Sequence, residues 1–218
     1  VYVGLQGNMD QEGEIVAVNA RTRKIVDRIA LDGGQIACDM DIAIGPDGVE
    51  RVYTPNQKMD SVQNFDAGSH TLLNTVAQPT GSMPFMLTAS PDGRHIWVQD
   101  GKAGTNSVLD SVTLATVTRI PTGEGPVVAS FSPDGKYGYV GHSKATQVTV
   151  IDTSTFEIIK KVEVGASPAK LAAHPNGKFV YAAISKENKI AVIDTATWTV
   201  VDNILLEGGP GGLYLLSS

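Results

Sequence analysis

The sequence predicts an all-β chain assembled from repeated units of four short antiparallel strands, and three periodic marks predict it. A Pro-Asp-Gly turn signal occurs at Pro46, Pro91 and Pro133, and as Pro-Asn-Gly at Pro175, with spacings of 45, 42 and 42 residues. A second proline recurs at Pro84, Pro126, Pro168 and Pro210, every 42 residues. A polar residue closes an apolar run at Asn19, Asp66, Asp110, Asp152 and Asp194. Three separate marks in one register mean that a single supersecondary unit is repeated and stacked.

Each unit justifies four strands in order. After a Gly-x-x-Pro comes an apolar run, "VVASFS" or "AKLAAH". The Pro-Asp-Gly turn follows, in which Pro presets φ, Asp or Asn bonds its own backbone and Gly takes positive φ. Then come "KFVYAAI", "KIAVIDT" and "WTVVDNILL", rich in Val, Ile, Thr and aromatics and separated by turn residues. No stretch sustains apolar residues at helical spacing over three turns. Units of about 42 residues with four strands are the blades of a β-propeller.

Calling the strands a to d from the axis outward, residues 1–34 supply b, c and d of one blade. Complete blades are expected at 35–80, 81–122, 123–164 and 165–206, and 207–218 with its "GGLYLLSS" adds a further strand a. A chain that starts with b and ends with a can pair its last strand with its first, making a composite blade and removing exposed edges. Five blades result, in a single domain over 1–218. The alternative is that these residues form part of a seven-bladed propeller. The chain opens on "VYVG", which reads as the middle of a strand, so the lack of a visible targeting segment carries little weight.

The stretches "SPDGKYGYVGHSKATQVTVIDTSTFEIIKKVEVGASP" and "HPNGKFVYAAISKENKIAVIDTATWTVVDNILLEGGP" resemble the YVTN-type propeller repeats of bacteria and archaea. The resemblance covers nearly the whole chain and is closest over residues 81–210. It implies a surface, periplasmic or extracellular protein, and kinship with cytochrome d1-like, amine-dehydrogenase-like and lactonase-like propellers. It does not imply an activity, because turn and core residues carry it.

Composition narrows the partners. The chain has 218 residues, 42% apolar and 18% charged, with a net charge of −6. That balance, with no basic run, argues against nucleic acid, which needs a surplus of Lys and Arg on some face. No apolar stretch reaches the ~20 residues of a membrane-spanning helix. The lone Cys38 rules out an intramolecular disulfide and any multi-cysteine metal site.

Repeated turn residues are structural by default, so departures from the repeat carry the functional candidates. They concentrate in residues 1–80, on the face formed by the b–c and d–a loops. In "DGGQIACDMDIAIG" the Gly-x-x-Pro is lost and Asp39 and Asp41 enter an inner strand. Such a carboxylate pair could bind a cation or act as acid and base, or it could cap exposed amides. Cys38 reads as a core thiol; as a nucleophile it would have no evident base beside it. Asn8, Asp10, Glu12 and Glu14 look superficially like a calcium loop without its glycine, or like a solvated b–c loop.

Further polar loops on that face carry Asn56, Gln57 and Lys58, and Asp100 with Lys102. They rim a binding funnel or are simply loops. Among the four histidines only His142 falls near this face, where it could meet Lys144; His70, His95 and His174 fall toward the other. No metal-binding histidine motif, G-x-S-x-G elbow or phosphate-binding loop is present. The leading expectation is a binding or scaffold propeller that presents its loop-rich face to a protein or a small-molecule ligand. An oxidoreductase component with a cofactor, and a lactonase-like hydrolase working near Asp39 and Asp41, are the alternatives.

Overall fold

The computed structural model describes residues 1–5, 13–31 and 39–213. Its strands are β1 Tyr2–Leu5, β2 Glu14–Asn19 and β3 Lys24–Ala30 in a first sheet of three. A second sheet holds β4 Asp41–Ile44, β5 Glu50–Asn56, β6 Ser61–Asp66 and β7 Leu72–Ala77. A third holds β8 Pro84–Ala89, β9 His95–Asp100, β10 Thr105–Asp110 and β11 Thr116–Ile120. The fourth has β12 Pro126–Phe131, β13 Tyr137–His142, β14 Gln147–Asp152 and β15 Ile158–Glu163. The fifth has β16 Pro168–Ala173, β17 Phe179–Ile184, β18 Lys189–Asp194 and β19 Thr199–Leu205. Each sheet is an antiparallel meander in chain order, as the repeat predicts for propeller blades. One turn of 3-10 helix covers Ser185–Glu187, and among the described residues no helix is long and apolar enough to cross a membrane.

Both recurring turns work as their residue types require. In the a–b turn of the third sheet, Gly93 takes φ +69° and donates to the Ser90 carbonyl at 2.9 Å. A side chain on Gly93 would also meet the Ile44 carbonyl of the preceding blade at 2.2 Å, so this glycine serves the turn and the blade contact together. In the c–d turns, Asp152 accepts from the amides of Ser154 and Thr155, and Asp194 from those of Ala196 and Thr197. Four residues after each such Asp or Asn, the chain enters the left-handed region at Arg23, His70, Leu114, Phe156 and Trp198. The two turns interlock on one face of the molecule. Ser111, Thr153 and Thr195 donate to the carbonyls of Gly93, Gly135 and Gly177 at 2.6, 2.6 and 2.7 Å.

In the a–b hairpin of the second blade, Arg51 folds onto Asp47 with paired contacts of 2.8 and 2.5 Å. The Arg51 guanidinium holds the Asp47 carboxyl down at about 2.

Blades pack through an aromatic on strand b. Tyr53, Trp97 and Tyr139 occupy matching positions and are buried. Tyr53 also donates to the Ser111 carbonyl of the next blade at 2.9 Å. Tyr181, the matching residue of the fifth sheet, is only partly covered. The first sheet meets the second through Ile15, Ile29 and Leu31 on Phe65, and through a 2.8 Å contact of His70 with Asp27. Among the described residues no hydrogen bond, ring contact or core cluster joins the first sheet to the fifth. The composite blade expected from 1–34 with 207–218 lies partly outside the described residues. Its described part is the three-stranded sheet, and residues 211–213 form no strand.

Candidate functional site

The loops opposite the interlocked turns are built as one surface. Asp60, in the b–c loop of the second blade, accepts from Gly81 and Met83 in the following d–a loop at 2.5 and 2.9 Å. Glu187, in the b–c loop of the fifth sheet, accepts from Ala166 in the preceding d–a loop at 2.6 Å. The amides of Gly101 and Ser143 donate to the carbonyls of Met83 and Gly125. Carboxylates and loop amides thus hold neighbouring blades in register on this face.

At its centre three successive inner strands share one defect. Between β8 and β9 the pairing slips between Pro84 and Met86, between β12 and β13 it slips between Pro126 and Val128, and between β16 and β17 between Pro168 and Lys170. Proline has no N–H for the ladder, so the residue after it is left as a bulge. The bulged residues are Phe85, Val127 and Ala169, and all three line one cavity of about 590 Å³. Met83 and Met86 complete its apolar wall, while Lys102, Lys144, Lys170 and Ser143 supply its polar groups. A second cavity of about 470 Å³ adjoins it, walled by Gly104, Pro121, Gly123, Glu124 and Gly125. Gly101, Lys102 and Lys144 belong to both.

The residues singled out from sequence fall into distinct places. Lys102 stands on the cavity rim, exposed. Asn56, Asp100 and His142 prove to be matching residues at the ends of β5, β9 and β13, and all three are fully buried. Asn56 holds its own b–c loop by accepting from Met59 at 3.2 Å. Asp100 accepts from Ser107 at 2.5 Å and Thr105 at 3.1 Å, and burial pushes its carboxyl up. His142 bridges the Glu124 carbonyl through Nδ1 at 3.2 Å and the Thr149 hydroxyl through Nε2 at 3.1 Å. A carbonyl only accepts, so Nδ1 carries the proton and Nε2 accepts. Burial lowers the pKa of this ring, which supports the loop beneath Lys144. Lys58 is exposed on the same face but away from the cavity.

Asp39 and Asp41 reach across to the neighbouring inner strand. Asp39 Oδ2 accepts from the Leu87 amide at 2.9 Å and Asp41 Oδ2 from the Ala89 amide at 2.8 Å. These are edge amides that strand a cannot pair within its own sheet. Thr88 makes the corresponding link to the next blade, donating to the Ala129 carbonyl at 3.3 Å. Burial pushes the Asp39 carboxyl up, against the pull of the Leu87 amide, with Asp41 adding and Lys170 subtracting. Glu14 pairs with Arg28. Asn8, Asp10, Glu12 and Cys38 lie outside the described residues. Among the described residues no group of three or more His, Cys, Asp or Glu could hold a metal ion.

The cavity therefore lies among the regular blades, rather than in the irregular first 80 residues where the departures from the repeat concentrate. Phe85, Met86, Val127, Ala169 and Lys170 are invisible to a search for polar motifs. One signal could have found them: each follows the recurring proline by one or two residues, where the chain is least able to keep strand pairing.

The model of the YNCE-like β-propeller family matches residues 3–176. No curated protein sequence matches the chain. Among solved structures, hydrazine synthase of Kuenenia stuttgartiensis is 27% identical, with a TM-score of 0.69, over 81% of this chain and 52% of that one. A putative 6-phosphogluconolactonase of Bacteroides fragilis is 19% identical, with a TM-score of 0.69, over 90% of this chain and 65% of that one. Another, of Bacteroides uniformis, is 17% identical, with a TM-score of 0.67, over 95% and 82%. The chain spans about half the length of the first and less than two thirds of the second. The likeness to the two Bacteroides proteins is one of fold alone.

Proposed function

The chain belongs to the YNCE-like β-propeller family, and within that family we propose that it is a binding propeller that holds a small molecule at the loop-rich mouth of its inner strands. The observation that carries the reading is the convergence of three bulged inner strands on one mainly apolar cavity, with Lys102, Lys144, Lys170 and Ser143 as its few polar groups. An apolar concavity with a few placed polar groups is the usual form of a small-molecule site. Asp39 and Asp41 each hold a backbone amide of the next blade, and Asp41 also accepts from the Ile42 amide with its other oxygen, a structural use that supports binding over hydrolysis. A periplasmic or extracellular setting belongs to the same proposal; one cysteine leaves no thiol pair to oxidise.

Filling the cavity tests it. Phe85 occupies the bulge position of the third sheet, so the architecture accepts phenylalanine there, and Ala169→Phe should fold. Titrated calorimetrically with 1-octanol as a neutral probe, the wild-type chain should bind one molecule. The variant should lose at least about tenfold in affinity, the ring having taken the volume the ligand needs. Equal binding by both proteins would place the probe elsewhere and remove the reading.

A further inference from the structure

We infer that the ligand of this site is a small amphipathic acid, its apolar body in the first cavity and its acidic head between Lys102 and Lys144. The inference rests on the binding reading above and adds the chemistry of the occupant.

Two adjoining cavities carry it, the first mainly apolar and the second mixed. The first is walled by Met83, Phe85, Met86, Val127 and Ala169, and the second by glycine backbone, Pro121 and Ala103, with Glu124. Lys102 and Lys144, on the b–c loops of the third and fourth blades, stand where the two meet. A neutral apolar ligand would leave these ammonium groups at an apolar boundary for no gain. A ligand with one acidic end satisfies both cavities at once.

The charge distribution points the same way. The whole chain carries 23 acidic and 17 basic residues, yet the lining of the two cavities holds three lysines against Glu124. Lys161 adds to this side: its Nζ lies 3.9 Å from where a Gly123 side chain would begin. Among the described residues none of Lys102, Lys144 and Lys170 makes an ion pair within 4.0 Å. Lys170 lies deeper, and its field acts on Asp39, so it is already in part compensated. Lys102 and Lys144 are exposed and make no such pair, so they remain for the ligand. Lysine presents a compact point charge on a flexible apolar stem, suited to a carboxylate head above an apolar wall.

A matched set of octyl compounds separates the charge from the apolar body. By isothermal titration at low ionic strength, octanoate should bind with one-to-one stoichiometry and about tenfold tighter than 1-octanol. Octyltrimethylammonium should bind more weakly than 1-octanol. In Lys102→Glu with Lys144→Glu, octanoate should lose about tenfold or more while 1-octanol keeps its affinity. Both lysines are exposed, so the thermal midpoint should not move; Lys102→Gln with Lys144→Gln is the milder control. Equal wild-type affinities for octanoate and 1-octanol, or an octanoate preference that survives the double charge reversal, would overturn the acid and leave the binding cavity standing. Failure of both octyl probes to bind the wild-type chain would overturn the cavity reading itself.

Discussion

Trp97→Ala lowers the free energy of unfolding by about 3–5 kcal/mol, as large aromatic-to-alanine changes in a filled core do. Trp97 is 1% exposed on β9 and spans the junction of the third and fourth blades. Its ring packs edge-on against Phe131 at 5.1 Å and tilted against Phe156 at 6.3 Å. Opposite it is Gly138, where a Cβ would come within 2.6 Å of the indole. The fourth blade has thus given up a side chain at this position to admit the ring, and Gly138 has none to move into the space. Collapse from the Gly138 side is limited, so a cavity penalty adds to the lost transfer energy. Urea unfolding checks this through the midpoint at constant slope. A loss below about 1 kcal/mol would show that the blades do not depend on this junction.

The pair Asp39 and Asp41 separates two roles by the choice of replacement. With both changed to alanine, the Leu87 and Ala89 amides lose their acceptors, and stability falls by about 2–4 kcal/mol, taking 1–2 for each orphaned amide. With both changed to asparagine, a side-chain carbonyl stays within reach of each amide, and the loss stays under about 1 kcal/mol. Burial pushes the Asp39 carboxyl up, so the folded chain favours its neutral form more than the unfolded chain does, and asparagine mimics that form. An ion-binding pair predicts another pattern, in which asparagine abolishes cation binding as thoroughly as alanine and the two double variants melt alike. Thermal melts of both variants with and without calcium or magnesium decide between them.

Much of the blade plan was legible because turns are short-range chemistry. Pro-Asp-Gly and the Asp of "VIDT" specify local hydrogen bonds and φ signs, and those recur in the structure at the expected positions. The strand order followed from the same marks, since short turns allow only a meander. The candidate site was less legible, for a physical reason. Asn56, Asp100 and His142 are polar residues at strand ends, where sequence cannot distinguish a side chain turned into the blade from one facing solvent. All three turned inward. Phe85, Val127 and Ala169 read as ordinary members of apolar strands, and only the slipped pairing after each proline aims them at a common space. Lys170 was similarly hidden inside "AKLAAH", though a lysine at an inner strand is the departure that matters there.

The most direct test of the binding cavity uses the methionines as reporters. Met83 and Met86 line the cavity, whereas Met40 packs at the core of the first sheets and Met59 is exposed on the second blade's loop. With methyl-13C-methionine incorporated, titration with octanoate should shift the Met83 and Met86 methyl resonances together and saturably, leaving Met40 and Met59 in place. Saturable shifts at Met40 or Met59 with Met83 and Met86 unmoved would contradict the account and put the ligand on another part of the propeller.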